Sequence, residues 1–269
     1  MERLRQAIEL SQQERATNIL YPSSFSSRKI EPPIDQIIYS QTQVCPVAEQ
    51  VLKNNRVLTA EVESETTMVY KILRTQVLQR LMARGWNTLM VTSPGPGQGK
   101  TLTAINLAIS LAREMHHTVL LADFDLRKPS VHKYFGLSPT YGIGDYLLKG
   151  TPLPKILINP GIERFVILPG REPLYNSSEM LGSLKVRQLV HEMKTRYPSR
   201  IILFDLPPLL STDDSLAFSP YVDAALMIVE DSKTEKEDLQ RAIGLLQSTP
   251  VIGTVLNRSD EATYFIKRT

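Results

Sequence analysis

The sequence is short of cysteine, of long apolar runs and of excess charge, and each shortage excludes a class of protein. Cys45 is the single cysteine among 269 residues, so neither an intrachain disulfide nor a cysteine-built metal site can form. No apolar run approaches the roughly 18–20 residues that cross a bilayer, and the charged N-terminus lacks a signal-peptide core. The net charge of +3 gives no basis for a nucleic-acid face. We therefore expect a cytoplasmic protein that does not bind nucleic acid.

The chain divides into two parts that differ in composition and in hydrophobic pattern. Hydrophobic residues make up 42% of it and charged residues 22%, which is ordinary for a globular protein. Residues 1–60, however, are rich in proline and serine and show no clear period beyond a short helix over 2–16. We predict a largely irregular N-terminal extension, either a disordered tail or a docking arm for a partner. A domain over 61–258 and a short tail over 259–269 follow.

Helical spacing begins just after the extension. Ser64 or Thr66 is placed to cap a helix that runs to about Arg84. Its predicted core face consists of Val69, Ile72, Leu73, Val77 and Leu81.

Short apolar runs then alternate with amphipathic stretches. Six runs are apolar on nearly every residue, which is typical of strands buried on both faces. These runs are 87–93, 118–124, 165–170, 201–206, 224–230 and 251–257. The intervening helical stretches are 102–115, 184–197 and 233–248. The alternation predicts an α/β fold with a doubly wound, mostly parallel sheet flanked by helices.

The segment Ser93–Thr101, SPGPGQGKT, follows the first predicted strand and opens a helix, which is the context of a P-loop. Gly97 and Gly99 allow the backbone to approach a phosphate closely. Lys100 would place its charge on the β- and γ-phosphates, and the Thr101 hydroxyl would bind Mg²⁺. The amides predicted to face the phosphates are those of Gly97, Gln98, Gly99, Lys100, Thr101 and Leu102.

One feature departs from the general P-loop pattern. Pro94 stands where that pattern has its first glycine, and Pro96 removes an amide donor. The competing interpretation is a turn rich in glycine and proline that happens to end in Gly-Lys-Thr.

Carboxylates close two further predicted strands. Asp123 and Asp125 lie in Leu120–Arg127, and Asp205 lies in Ile201–Pro208, as in a Walker B motif. Ligands of open α/β sheets bind at this strand edge, and buried carboxylates need a cation such as Mg²⁺. The competing interpretation of the first pair is a capping role at a strand-to-loop junction.

The last apolar run closes with Asn257. Its side-chain amide is suited to read the edge of an adenine base. An asparagine in an ordinary turn explains the residue equally well.

Together these motifs resemble the bacterial tyrosine kinases (BY-kinases) of capsule and exopolysaccharide biosynthesis, over roughly residues 60–258. The resemblance is carried by SPGPGQGKT, by LLADFDLRKP as the additional Walker A′ motif and by ILFDLPP as Walker B. The stretches at Tyr70–Thr75, Pro169–Arg171 and Ser178–Leu181 also resemble the family. Related partitioning and division-site ATPases carry a signature lysine where this chain has Gly95, which argues against that branch.

The resemblance implies a P-loop NTPase fold and ATP-dependent phosphorylation of tyrosine hydroxyls. By analogy Lys100 and Thr101 hold the phosphates and Mg²⁺, and Asp123 is the base or orienter for the incoming hydroxyl. Asp125 and Asp205 assist through Mg²⁺ or its waters. The metal set implied is Thr101, Asp123 and Asp205. A carboxylate acceptor suits a tyrosine hydroxyl, whose pKa is about 10.

Two departures from the family leave questions open. The family ends in a cluster of tyrosines, whereas this tail contains Tyr264 alone, so Tyr264 is the candidate phosphosite. The family also assembles rings through a Glu-x-x-Arg-x-x-Arg helix face, which aligns with Met68, Lys71 and Arg74. A homo-oligomeric ring is therefore an open expectation.

The resemblance also implies a partner, since a membrane-spanning chain-length regulator, the polysaccharide co-polymerase, activates these kinases. We expect it to be a separate protein that holds this chain at the inner face of the membrane. Two alternatives to a kinase remain. One is a P-loop ATPase switch that binds the partner without phosphorylating tyrosine. The other is a non-catalytic scaffold, against which the intact Lys100, Thr101, Asp123 and Asp205 argue.

Overall fold

A computed structural model describes residues 42–59, 64–197 and 199–259. Its strands are β1 (Gln43–Val44), β2 (Thr88–Thr92), β3 (Thr118–Asp123), β4 (Ile158–Asn159), β5 (Phe165–Leu168), β6 (Arg200–Asp205), β7 (Ala224–Glu230) and β8 (Val251–Asn257). Its helices are α1 (Glu49–Asn54), α2 (Glu65–Met82), α3 (Lys100–Ala112), α4 (Val131–Tyr134), α5 (Ile143–Lys149), α6 (Ser177–Leu181), α7 (Leu184–Arg196), α8 (Asp214–Phe218) and α9 (Lys236–Leu245). Two short 3₁₀ turns span Leu153–Lys155 and Ser219–Tyr221.

The eight strands form one sheet in the order β1-β4-β5-β3-β6-β2-β7-β8. Every neighbouring pair is parallel except β4 and β5. The predicted α/β fold is confirmed, and each of the six apolar runs contains a strand. The strands β1 and β4 were not predicted, because two residues are too few to show a period.

The sheet is covered on both faces, as the continuous apolar runs indicate. Successive residues of one strand point to opposite sides, so Leu89 and Val91 pack in one core cluster and Met90 in the other. Phe124, Phe204 and Phe218 are fully buried in the second cluster, with ring centroids 4.9–5.1 Å apart. The strand ends that carry the predicted motifs are thereby held by a rigid core.

The predicted core face of α2 is only half correct. Ser64 caps the helix through its hydroxyl, as expected, and Val77 and Leu81 are buried. Val69 and Ile72, however, are 42% and 50% exposed. Apolar spacing alone does not tell a core face from a face left open, so this part of the prediction was wrong.

The predicted extension also needs correction where the structure describes it. In residues 42–59, β1 pairs with β4, and α1 buries Leu52 in the core. Val57 and Leu58 are buried as well. This segment therefore belongs to the folded domain, and the boundary at residue 60 was placed too late. Residues 1–41 and most of the predicted tail, 260–269, lie outside the described residues.

The side chain of Asn106 on α3 attaches this segment to the domain. Its Oδ1 accepts from the backbone N–H of Leu58, and its Nδ2 donates to the carbonyl of Arg56, each at 3.0 Å. Arg113 donates to the carbonyl of Thr59 at 2.8 Å. Within the described ranges no helix combines the length and apolarity needed to cross a membrane.

We predict that Asn106→Ala lowers the free energy of unfolding by about 1–3 kcal/mol, because it leaves the buried amide of Leu58 and the part-buried carbonyl of Arg56 without their partner. Urea unfolding measures the loss, and hydrogen exchange should show faster exchange of the Leu58 amide. Gln240→Ala, at an exposed position of α9, is the matched control. Equal stability of the two variants would contradict this attachment.

Candidate functional site

The loop between β2 and α3 is built for close approach of a ligand to the backbone. Gly97 and Gly99 have φ of 77° and 86°, in the left-handed region that side chains disfavour. A Cβ added at Gly99 would lie 2.1 Å from the Asn257 amide nitrogen. These two glycines are therefore required by the fold of the loop, which supports the P-loop interpretation over a chance turn.

Pro94 is explained by its contacts with the Asp-x-Pro-Pro segment after β6. The carbonyl of Pro94 accepts from the amide of Leu210 at 3.1 Å, and that of Ser93 accepts from Leu209 at 2.9 Å. The Pro207 carbonyl accepts from the Thr92 hydroxyl at 2.8 Å. Since only the carbonyl of residue 94 is used, the amide that proline lacks is not missed. The phosphate loop and the Walker B strand are thus joined directly.

Lys100, Thr101, Asp125 and Asp205 meet in one buried network at the N-terminus of α3. The ammonium of Lys100 lies 2.9 Å from Asp125 Oδ2 and 3.7 Å from Asp205 Oδ1. The Thr101 hydroxyl donates to Asp205 Oδ2 at 2.7 Å. The structure therefore brings together side chains that are up to 105 positions apart in the chain, as the motifs predicted.

Asp123 lies beside Asp205 because the two are register partners at the ends of β3 and β6. Asp123 is fully buried, and its Oδ2 accepts from the amides of Ser130 and Val131, each at 2.9 Å. A Cβ at Gly170 would lie 2.3 Å from Pro129 and 3.2 Å from the Asp123 carboxyl. Gly170 therefore allows the loop after β5 to close over Asp123.

Burial sets the charge state of this cluster. Desolvation, together with the neighbouring Asp205 and Asp125 carboxylates, raises the pKa of Asp123 to about 8. Burial also raises the pKa of Asp205, although Lys100 and Thr101 oppose it. For Lys100, burial lowers the pKa, but the carboxylates of Asp205 and Asp125 outweigh this and raise it. The cluster therefore has three carboxyl groups and one ammonium group to balance them.

The oxygen donors of this cluster fit a bound Mg²⁺. The Oδ1 atoms of Asp123 and Asp205 are buried and have no hydrogen-bond partner, and the Thr101 hydroxyl lies next to them. Hard oxygen ligands are those that Mg²⁺ prefers. Across the described ranges no cluster of three or more histidine, cysteine and acidic residues could hold a metal alone. The ion would therefore share these residues with phosphate oxygens and water.

The guanidinium of Arg127 forms an ion pair within the chain. Its guanidinium donates to both carboxylate oxygens of Asp214 at 3.1–3.2 Å, and Asp214 is fully buried. This pair ties the Walker A′ segment to the start of α8. Sequence reasoning missed Asp214, because no local signal links residues 87 positions apart.

Gln98 and Asn257 hold the phosphate loop from the side of β8. The Asn257 amide donates to the Gln98 carbonyl at 2.9 Å, and Gln98 Nε2 donates to the Thr234 hydroxyl at 2.8 Å. Gln98 Oε1 accepts from the Gly95 amide at 3.3 Å. The donor of Asn257 is thus used on the loop, so a role toward adenine stays a prediction.

Two hollows flank the phosphate loop. A cleft of about 660 Å³ is lined by Lys100, Asp125 and the residues that follow Asp125. A hollow of about 710 Å³ is lined by Leu102 and Asn257 together with part of α2. Tyr264, the candidate phosphosite, lies outside the described residues.

Comparisons with known proteins agree with this geometry. The family described as the CobQ/CobB/MinD/ParA nucleotide binding domain matches residues 89–267. The tyrosine-protein kinase YwqD of Bacillus subtilis is 30% identical over 208 residues, covering 77% of this chain and 86% of YwqD. The tyrosine-protein kinase ptk of Acinetobacter johnsonii is 28% identical over 252 residues, covering 89% of this chain but only 34% of ptk.

Among solved structures, the kinase domain of VpsO is 29% identical, with a TM-score of 0.65, covering 72% of this chain and 97% of that domain. Such a domain needs a group of residues that holds a nucleotide. In this chain that group consists of the Lys100 network and the buried Asp123, at the ends of β3 and β6. On this evidence the chain belongs to the CobQ/CobB/MinD/ParA nucleotide-binding family and, within it, to the bacterial tyrosine-protein kinases.

Proposed function

We propose that this chain is an ATP-dependent protein-tyrosine kinase that phosphorylates itself and regulates the synthesis and export of exopolysaccharide or capsule. The observation that carries the proposal is the meeting of Lys100, Thr101, Asp123 and Asp205 at one edge of the sheet. A curated relative from Klebsiella pneumoniae is described as a tyrosine-protein kinase in the cps region, which supports the biological setting.

The residues divide the work of phosphoryl transfer. Lys100 and the amides of residues 97–102 hold the β- and γ-phosphates of ATP, and the α3 N-terminus adds a favourable dipole. Thr101, Asp123 and Asp205 would hold Mg²⁺, which supplies neutralising charge between the phosphate oxygens. Asp125 keeps Lys100 in place through its 2.9 Å contact. Leu102 and Asn257 line the hollow in which we place the adenine.

Asp123 is suited to accept the proton of a tyrosine hydroxyl. A general base works best when its pKa is close to the working pH, and in the chain without bound metal, burial and the Asp205 carboxylate raise the pKa of Asp123 to about 8. One oxygen is fixed by two amides, which leaves the other without a hydrogen-bond partner. That oxygen is also the one that faces Mg²⁺, so Asp123 acts as the base when Thr101 and Asp205 carry the ion.

The tail supports a second candidate function. Residues 259–269 contain one tyrosine, Tyr264, in place of the cluster that the resemblance leads us to expect. The alternative is an ATPase switch of the same fold, which binds a membrane partner in its ATP-bound state. The kinase assay below separates the two, because the switch releases phosphate without forming phosphotyrosine.

We further propose that the chain works in the cytoplasm, at the inner face of the membrane, where a separate polysaccharide co-polymerase activates it. The family resemblance supports this arrangement. The N-terminal extension predicted over residues 1–60 is the part of the chain that we propose for docking to the partner.

A homo-oligomer is the remaining part of the proposal. Met68, Val69 and Ile72 are 42–50% exposed and leave the first half of α2 with an apolar face, a common mark of an interaction surface. Arg74 is already bound to the Ser110 carbonyl and to Glu114, at 3.2 and 3.0 Å. We therefore expect apolar contact, more than Arg74, to hold the subunits together.

We predict that purified protein with γ-labelled ATP and Mg²⁺ forms phosphotyrosine, detected by antibody. Lys100→Met should reduce the rate about 100-fold or more, since it removes a charge that stabilises the transferring phosphoryl group. Lys155→Met, at an exposed lysine outside the cleft, is the matched control. Free phosphate without phosphotyrosine, even with the membrane partner present, would favour the ATPase switch.

The same assay addresses the phosphosite. Tyr264→Phe should abolish most autophosphorylation if Tyr264 is the target. If the label is unchanged, Tyr264 is not the main acceptor, and mapping should turn to Tyr21 and Tyr39.

We predict that Asp123→Asn stabilises the free protein in a pH-dependent way. The folded state keeps a proton on Asp123 up to about pH 8, whereas the unfolded chain releases it near about pH 4. Stability of the wild type therefore falls as the pH rises between these values. Asparagine avoids this loss and still offers an oxygen to the amides of Ser130 and Val131.

Thermal unfolding with a chelator and without nucleotide should give Asp123→Asn a Tm about 4 °C or more above the wild type at pH 8. The difference should shrink toward pH 5. Asp213→Asn, at an exposed carboxyl, serves as the control. A gain that does not change with pH would show that Asp123 is ionised throughout.

Size-exclusion chromatography with ATP and Mg²⁺ should show an assembly larger than the monomer, and Ile72→Asp should shift it toward the monomer, because a charge is costly in an apolar contact. Leu184→Asp, at a leucine of α7 that is 66% exposed, should not. A wild type that elutes only as monomer would argue against the oligomer.

A further inference from the structure

The cleft beside the phosphate loop has an excess of positive charge. Five cationic side chains line it against the single acidic residue Asp125; they are Lys100, Arg127, Lys128, Lys133 and Arg171. Such a one-signed lining favours an occupant that carries negative charge.

Three of these cations are already neutralised. Lys100 pairs with Asp125 at 2.9 Å, and Arg127 pairs with Asp214 at 3.1 Å. Arg171 pairs with Glu172 at 2.8 Å. The ammonium groups of Lys128 and Lys133 are exposed and form no ion pair within the part of the chain that the structure describes. The uncompensated charge of the cleft therefore resides on these two lysines.

Lys128 and Lys133 lie next to the residues that hold Asp123, the proposed base for the acceptor tyrosine, and not only next to the nucleotide loop. Lys128 and Lys133 bracket Ser130 and Val131, whose amides hold the carboxyl of Asp123. Five prolines also line the cleft and stiffen its wall; they are Pro96, Pro129, Pro173, Pro207 and Pro208. A tyrosine that approaches Asp123 from this cleft would place its neighbouring residues against this wall.

We propose that Lys128 and Lys133 select acceptor tyrosines preceded by acidic residues, so that the substrate class of the kinase is an acidic tyrosine peptide. The proposal rests on the kinase function stated above. The chain contains such a segment, because Asp260 and Glu261 precede Tyr264 by four and three residues. A second copy of this chain could present it.

The charge pairs would form at a partly exposed rim, where each contributes little and is weakened by salt. Two such pairs correspond to a preference of about 5- to 10-fold at low ionic strength. The preference should decline as salt is raised from 20 mM to 500 mM, which ordinary shape recognition would not do.

The test uses two synthetic peptides and the full chain. One peptide is residues 259–266, SDEATYFI, and the other carries Asp260→Asn and Glu261→Gln, which keep the shape and remove the charge. kcat/KM for each peptide and KM for ATP are measured with the wild type and with the double variant Lys128→Gln/Lys133→Gln. The double variant Lys155→Gln/Lys236→Gln, at two exposed lysines outside the cleft, is the control.

We expect the wild type and the control to prefer the acidic peptide about 5- to 10-fold, and the cleft variant to lose that preference. Equal kcat/KM for the two peptides with the wild type would overturn the proposal and leave the kinase function intact. A cleft variant that raises KM for ATP and keeps the peptide preference would also overturn it, since the lysines would then serve the nucleotide. No phosphorylation of either peptide, with no autophosphorylation, would overturn the kinase function and this inference together.

Discussion

The parallel register of β3 and β6 is the constraint on which the rest of the site depends. It places Asp123 directly beside Asp205, and Asp125 follows two residues later, so three carboxyl groups share a region that water hardly reaches. Within the described residues, Lys100 is the cation that contacts Asp125 and Asp205. Carboxyl groups crowded in this way hold a proton or bind a cation, because both remove charge that burial makes costly.

The surrounding contacts follow from that constraint. Two amides bind one oxygen of Asp123, and the Thr101 hydroxyl binds one oxygen of Asp205. The other oxygen of each carboxyl has no hydrogen-bond partner. The core beneath is rigid, since the aromatic cluster around Phe204 fills the space under the Walker B strand. Charge shortage at the sheet edge and close packing below it together describe a site prepared in advance for a magnesium nucleotide.

Local patterns were sufficient to predict the six longer strands and the motifs, but not the two-residue strands or the pairs that join distant segments. The apolar runs and the Gly-Lys-Thr of the loop are readable because each depends on neighbours in sequence. Asp214 and Thr234 have no such local signal, although they bind Arg127 and Gln98. Val69 and Ile72 mislead for the opposite reason, since an exposed apolar face has the same spacing as a buried one. The two-residue strand β1 is too short to show any period.

The contact between Gly99 and Asn257 links the end of the nucleotide loop, just before α3, to the end of the last strand. A side chain at 99 has no room while Asn257 occupies its place, and a smaller residue at 257 would release the carbonyl of Gln98 that Asn257 now holds. Either change alone damages the loop. Two changes that compensate for each other would still pass through a single-change intermediate that damages it. The two positions are therefore coupled structurally, because each is acceptable only while the other is unchanged.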